Sequence, residues 1–352
     1  MLRTLRQRVT PTDIVVWLIG IVILVFVIYG SVVTLVAGNY TLENWISLTI
    51  SGLAQGGVYA LIALGYTIVY GILRMINFAH SEVFMSGPFT AVFLADALNR
   101  SGFMDRQPFI SLALILLLSM FVSMCIALLL ERIAYRPLRN APRLVPLITA
   151  IGASFFLQYT FRGLYGSGVK AYPDIVALSG NFTLGPIRIL KTQLVVIVAS
   201  LVMMLILYGI VQLTKVGKAM RAVSEDKEVA ALMGIDVDRI IVITFALGGA
   251  SAGAAGILYA LLFPVVNFFM GFFPGLKAFT AAVLGGIGSV PGAFIGGIVL
   301  GLLENLGPNL FLDGLGIPSP YQLKDAIAFA ILVFILIFRP TGIIGERIST
   351  KA

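Results

Sequence analysis

A length of 352 residues would ordinarily suggest about two soluble domains, but 59% hydrophobic residues, 11% charged residues and a mean hydropathy of +1.02 describe a chain that water could not keep dispersed. A soluble enzyme is thereby excluded. The formal charge of +8, from 24 Lys and Arg against 16 Asp and Glu, sits between apolar runs, which reads as membrane topology and not as a nucleic-acid footprint. One cysteine, Cys125, and one histidine, His80, exclude an intramolecular disulfide, a thiol metal cluster and most triad chemistry.

A helix crossing about 30 Å of hydrocarbon needs roughly 20 mostly apolar residues, because every backbone polar group must be satisfied within it. Residues 1–12 form a basic segment, and 13–37 form the first apolar helix. That run is longer than the apolar core of about 7–15 residues in a cleaved leader, and no small-x-small site follows it, so it is expected to stay as an anchor. Further runs lie at 45–72, 83–98, 109–130, 144–161, 194–213 and 240–263, with a shorter one at 323–338. Residues 276–306 are Gly-rich and apolar with a break at Pro291, which predicts two short helices that do not each cross the bilayer. The fold class is an all-α polytopic membrane protein with about eight spanning helices plus this broken pair. Placing both termini and the basic connections inside collects Lys and Arg on the cytoplasmic side, half of the rest falling at 162–191.

Small residues concentrate in the second helix (Gly52, Ala54, Gly56, Gly57, Ala60, Ala63, Gly65), in the seventh (residues 248–256) and in the broken pair (Gly285 to Gly301). Lipid offers no hydrophobic drive between helices, so such residues mark close backbone approach and a protein interior. At the foot of the third helix, Asn77, His80 and Glu82 bring polar groups into an apolar setting, where Glu82 is expected near an interface or a water-filled cavity. Glu304 and Lys277 are two further ionisable groups in the broken stretch.

The connection 214–239 alternates charge with small apolar residues. Ser224 is expected to cap a short helix with Glu225, Asp226 and Glu228 in its first turn, Ala230, Ala231, Leu232 and Met233 available to dock, and Gly234 at its end. Such an amphipathic helix between two spans suits a joint to a cytoplasmic partner.

EVAA at 228–231, followed by GI at 234–235, resembles the coupling loop of ABC importer permeases. GVYALIALGYTIVYG at 57–71, INFAH at 76–80, ERIAYRPL at 131–138, KAFTAAVLGGIGS at 277–289 and RPTG at 339–342 resemble, in order, the LivH-type permeases of branched-chain amino acid importers. The resemblance covers about 45–345, and departs where Ser81 replaces the family's usual Gly and in the first forty or so residues. It implies the ABC importer permease fold, with 45–345 as the permease domain, 214–239 as its coupling loop and 346–352 as a cytoplasmic tail. It also implies partners in the bilayer: a LivM-like second permease, two cytoplasmic ATPases that bind ATP and Mg, and an extracytoplasmic solute-binding protein. No GxxxxGK[ST] pattern occurs in this chain, so neither cofactor is expected to bind here.

An amino-acid zwitterion needs polar groups beside apolar walls. The candidate pathway residues, taken from the matching segments, are Tyr59, Tyr66, Asn77, His80, Glu82, Lys277 and Thr280. The coupling candidates are Ser224, Glu225, Asp226, Glu228, Ala230, Ala231 and Gly234. Permeases for urea or short amides share this resemblance. An ion-coupled secondary transporter is a separate alternative, and an intramembrane enzyme lacks a catalytic cluster.

Overall fold

The computed structural model describes residues 11–139, 141–142, 144–184, 187–318, 320–339 and 341–344. The basic residues expected at the N-terminus and the 346–352 tail lie outside them. Among the described residues thirteen α-helices follow in order: α1 Pro11–Ala37, α2 Leu42–Leu73, α3 His80–Arg100, α4 Phe103–Arg106, α5 Pro108–Leu130, α6 Leu144–Tyr165, α7 Lys191–Leu213, α8 Lys215–Glu225, α9 Lys227–Leu232, α10 Val237–Leu262, α11 Phe272–Gly285, α12 Val290–Gly307 and α13 Lys324–Phe338. Two minor antiparallel pairs are β1 (Lys170–Ala171) with β4 (Val265–Val266), and β2 (Asn181–Leu184) with β3 (Ile187–Leu190).

Helix starts follow side-chain chemistry. Thr41, Thr214, Asp226, Asp236 and Ser289 each accept a backbone N–H in the first turn of α2, α8, α9, α10 and α12. Arg74 ends α2 with φ 55, the left-handed conformation in which a terminal residue can close a helix, and its own N–H returns to the Tyr70 carbonyl. Ser81 sits inside α3 without positive φ, so this position does not need the freedom of glycine. Its neighbours make the room: a Cβ on Gly271 would lie 2.2 Å from the Ser81 carbonyl oxygen.

Eight helical segments among the described residues are long and apolar enough to cross a membrane, the number expected. The membership differs by one exchange, α12 entering the set and α3 leaving it. α12 continues through a π-turn (Pro308–Leu312) and a 3-10 turn (Asp313–Leu315), giving a 26-residue apolar segment Val290–Leu315. Of the expected broken pair, only α11, with 14 residues, is therefore too short to span. The break also moves: it falls at Gly286 and Gly288, both with positive φ, and Pro291 lies in the first turn of α12, where a missing N–H costs nothing. α3 is absent from the eight because Pro88, Glu82, Asp96 and Arg100 make it too polar, although it is 21 residues long and largely enclosed by protein.

The small-residue helices form the interior, as expected. The spanning window of α2 is 83% buried and that of α10 72%, against 17% for α1 and 22% for α7. Gly297 and Gly301 of α12 lie against the backbone of Ala60, Gly56 and Gly52 on α2, while Gly249 and Gly253 of α10 lie against Ser123, Met124 and Ser119 on α5. The outer helices expose Leu, Ile, Val and Phe, a surface suited to lipid. α1 docks at the edge: Gly30 meets the Phe311 carbonyl, Gly314 meets Gly30 and Thr34, and Trp17 packs edge-on to Phe338 at 5.7 Å.

Candidate transport pathway and coupling surface

The seven candidate pathway residues are all buried. Lys277, on α11, and Tyr59, on α2, come together. Lys277 Nζ is paired with Glu304 of α12, lies 2.7 Å from Asp325 of α13, and donates to the Tyr59 hydroxyl at 3.4 Å. The Gln55 amide donates to the same hydroxyl at 2.6 Å, and Asn305 donates to Gln55 Oε1 at 3.0 Å. Four helices thus meet on one ammonium. Thr280 is adjacent in sequence on α11, but its hydroxyl donates to the Leu276 carbonyl of its own helix at 3.0 Å.

A second group gathers at the start of α3. Tyr66 and His80 meet edge-on with ring centroids 4.8 Å apart, and His80 Nε2 is buried without a hydrogen-bond partner. Asn77 accepts from the Tyr135 hydroxyl. Glu82, fully buried, accepts on Oε1 from Gln158 Nε2 at 2.7 Å and from Ser154 Oγ at 3.2 Å, both on α6, while its Oε2 has no partner. The water-filled cavity expected as one setting for Glu82 is replaced by an enclosed site, where polar side chains from α6 stand in for water. Among the described cavities, the larger, about 100 Å³ and lined by Tyr172, Asp174, Thr192 and Ile257, contains none of the seven, and Tyr66 alone reaches the smaller one beside Phe279.

Gln55, Asn305, Asp325, Ser154, Gln158 and Tyr135 were not among the sequence candidates. Gln158 carried a usable signal, since an amide inside the apolar run 144–161 requires a partner. Asp325 carried none, because a carboxylate at a helix start is satisfied by solvent as readily as by an ion pair.

The coupling segment differs in detail from the expected single helix. Ser224 and Glu225 end α8 instead of opening a new helix, and the Ser224 hydroxyl donates back to the Arg221 carbonyl at 2.7 Å. Asp226 is the cap: its Oδ1 accepts from Glu228 N at 2.9 Å and Val229 N at 3.0 Å. A carboxylate outcompetes a hydroxyl here because it meets two N–H groups at the positive end of the helix. Gly234, at φ 84, ends the turn as expected. Ala230 faces inward at 3% exposure, whereas Leu232 and Met233 stand 87% and 78% exposed and Ala231 is also exposed. Beside this surface Lys227 converges with Arg139 and Arg74, and partial burial together with those two guanidiniums holds its ammonium below the ordinary lysine range.

The distinction between the two caps is measurable. Asp226→Ala should destabilise α9 by about 1 kcal/mol and speed amide exchange at Glu228 and Val229, whereas Ser224→Ala should leave those amides unchanged. Equal exchange in the two variants would refute the assignment.

Long apolar helices around a small-residue interior define a multi-pass membrane protein. The chain belongs to the branched-chain amino acid transport system permease component family, whose model matches residues 48–336. It is 42% identical over 308 residues to the high-affinity branched-chain amino acid transport system permease protein BraD of Pseudomonas aeruginosa, covering 86% of this chain and 96% of that one. The corresponding LivH proteins of Salmonella typhimurium and Escherichia coli K12 are 41% and 40% identical, each over 84% of this chain and 94% of theirs. No solved structure gives a significant match. The relatives are transport permeases and not enzymes, and the whole of α1 lies outside the matched family region.

Proposed function

We propose that this chain forms half of the translocation pathway of an ATP-driven importer for branched-chain amino acids. It sits in a bacterial inner membrane with both termini cytoplasmic, beside a LivM-like second permease. Two cytoplasmic ATPases bind ATP and Mg and dock on residues 214–239, and an extracytoplasmic binding protein delivers the substrate. The observation that carries this reading is the similarity over nearly the whole length of permeases named for that transport. The permease domain is 45–345, and α1, packed at the edge of α12 and α13, is an added peripheral helix.

In the alternating-access cycle, nucleotide-driven closure of the ATPase pair moves α9, and the pathway faces outward and then inward. The pathway candidates serve a zwitterion in two ways. Lys277, Glu304 and Tyr59 are charged and polar groups suited to its ammonium and carboxylate, and Tyr66, His80 and Phe279 form an aromatic wall for its side chain. Their enclosure fits a resting, closed pathway. Uptake of labelled leucine and urea by proteoliposomes holding the full complex tests the substrate: transport of urea alone would replace this reading by the amide one.

Leu232 and Met233 supply the docking surface. Burying a large apolar side chain is worth about 1.5–3 kcal/mol, so Leu232→Ser with Met233→Ser should weaken ATPase co-purification by tenfold or more. Undiminished co-purification would overturn the docking assignment, whereas transport by the chain without any ATPase would restore the ion-coupled alternative.

A further inference from the structure

The cytoplasmic ends of α5 and α10 are tied together by charges that the coupling surface itself does not use. Asp238 lies in the first turn of α10, four residues after Gly234. It receives Arg136 Nη2 at 2.8 Å and is also paired with Arg139. Arg139 turns its other terminal nitrogen to Glu131, a buried carboxylate at the end of α5. Between those two basic residues and α5 the backbone runs through a π-turn, Glu131–Tyr135, and then a 3-10 turn, Arg136–Leu138. A π-turn is a locally adjustable departure from the helical ladder, found preferentially at functional positions. From it Tyr135 reaches inward, packs on Phe245 of α10 with centroids 5.7 Å apart, and donates its hydroxyl to Asn77. The Asn77 carbonyl accepts the His80 N–H at 3.1 Å, which opens α3, the helix that carries Glu82. On the other side, Arg74 at the end of α2 donates to the Ser224 carbonyl at 2.9 Å, immediately before the coupling helix.

Isolated exposed ion pairs contribute little, and the Arg136–Asp238 pair alone would carry nothing. What distinguishes this set is continuity. Asp236 caps α10 through Arg239 N, Asp238 follows on the same turn, and every link from there to α3 is a direct contact between named side chains or their own backbone. Glu131 and Tyr135 are buried, so their partners cannot be exchanged for water without cost.

We propose that the turn at 131–139 is a second transmission element, in which Asp238, Arg136, Arg139, Glu131 and Tyr135 act as positioning residues that carry displacement of the coupling helix to the start of α3. This rests on the reading that α9 meets an ATPase. A shift of the joint at Gly234 moves Asp238 with α10. The two guanidiniums then draw the π-turn, and Tyr135 pulls on Asn77 beneath His80 and Glu82. The pathway-side groups thereby respond to the ATPase without touching it.

The test uses the complete importer in proteoliposomes, measuring leucine uptake and ATP hydrolysis together. Tyr135→Phe keeps the ring and removes the one hydroxyl; Asp238→Asn keeps the shape and removes the charge. Both should retain the ATPases and hydrolyse ATP, while uptake per ATP falls about tenfold, the size of an ordinary coupling term, and Asp238→Glu should recover most of it. The proposal is overturned if both variants show wild-type uptake per ATP while Leu232→Ser with Met233→Ser still releases the ATPases. Loss of the folded complex in both variants would make the network scaffold only and would overturn it equally. If the Leu232 and Met233 variant keeps its ATPases, the docking assignment is what fails.

Discussion

Lys277→Met should destabilise the folded permease by about 3–5 kcal/mol, because it strands the Glu304 carboxylate inside the protein with its cation removed. The size follows from the geometry of the cluster. Glu304 is 1% exposed, and its Oε2 already lacks a partner, so it depends on Lys277 for compensation. Asp325 is in a different position: its side chain is 41% exposed, although the Oδ1 that faces Lys277 is itself buried. Methionine approximates the length of the lysine stem, so the packing contribution is small beside the charge contribution. A second variant separates the two. Lys277→Met with Glu304→Leu removes both buried charges and should regain much of the loss, since replacing a whole buried pair by apolar groups is often near neutral. Thermal unfolding in detergent reads both variants. A single variant as stable as the parent would mean that water reaches Glu304, and the cluster would then be an open site instead of a closed junction of four helices. Uptake adds a separate readout: a double variant that is folded but does not transport would place the charges in the substrate's path.

The contrast between Lys277 and Asp325 also explains which features were legible in the sequence. An ionisable residue in an apolar run is conspicuous, so Lys277, Glu304 and Glu82 could be singled out with no knowledge of the fold. Two of their partners could not, because Asp325 and Ser154 are ordinary at a helix start and in a small-residue stretch, and only the packing of α13 and α6 gives them a role. Helix positions were legible because the period and length of apolar runs are set by the bilayer. The break between α11 and α12 was misplaced because Pro291 is as acceptable in a first turn as at an interruption, whereas the positive φ of Gly286 and Gly288 is what turns the chain. At the coupling segment, Ser224 and Asp226 are both good caps two residues apart. Which one is used depends on where α8 ends, and that is fixed by tertiary contacts such as the one from Arg74 to the Ser224 carbonyl.

Gly301→Leu is the second substitution with a large expected effect. A Cβ at Gly301 would lie 2.3 Å from Gly56 Cα, 2.4 Å from Gly56 N and 2.5 Å from the Gly52 carbonyl oxygen, all of them backbone atoms of α2. No rotamer change relieves a clash between backbones, so α2 and α12 would have to separate along the contact that also includes Gly297 and Ala60. Overpacking of a close contact commonly costs 1–3 kcal/mol, and here the cost should reach about 3 kcal/mol or more. Gly152 on α6 supplies the control. Nothing lies within 4 Å of a Cβ there and its surface is exposed, so Gly152→Leu should be neutral or slightly stabilising through better helix propensity. The yield of monodisperse protein and its thermal midpoint would decide between the two. Equal behaviour would show that α2 and α12 are free to part. If the contact is as rigid as its geometry requires, the movement of an alternating-access cycle must pass around this pair and not through it. It would then fall on elements held by side chains instead of by backbone contact: α13, held to α11 through Asp325 and Lys277, and α6, held to α3 through Gln158 and Glu82.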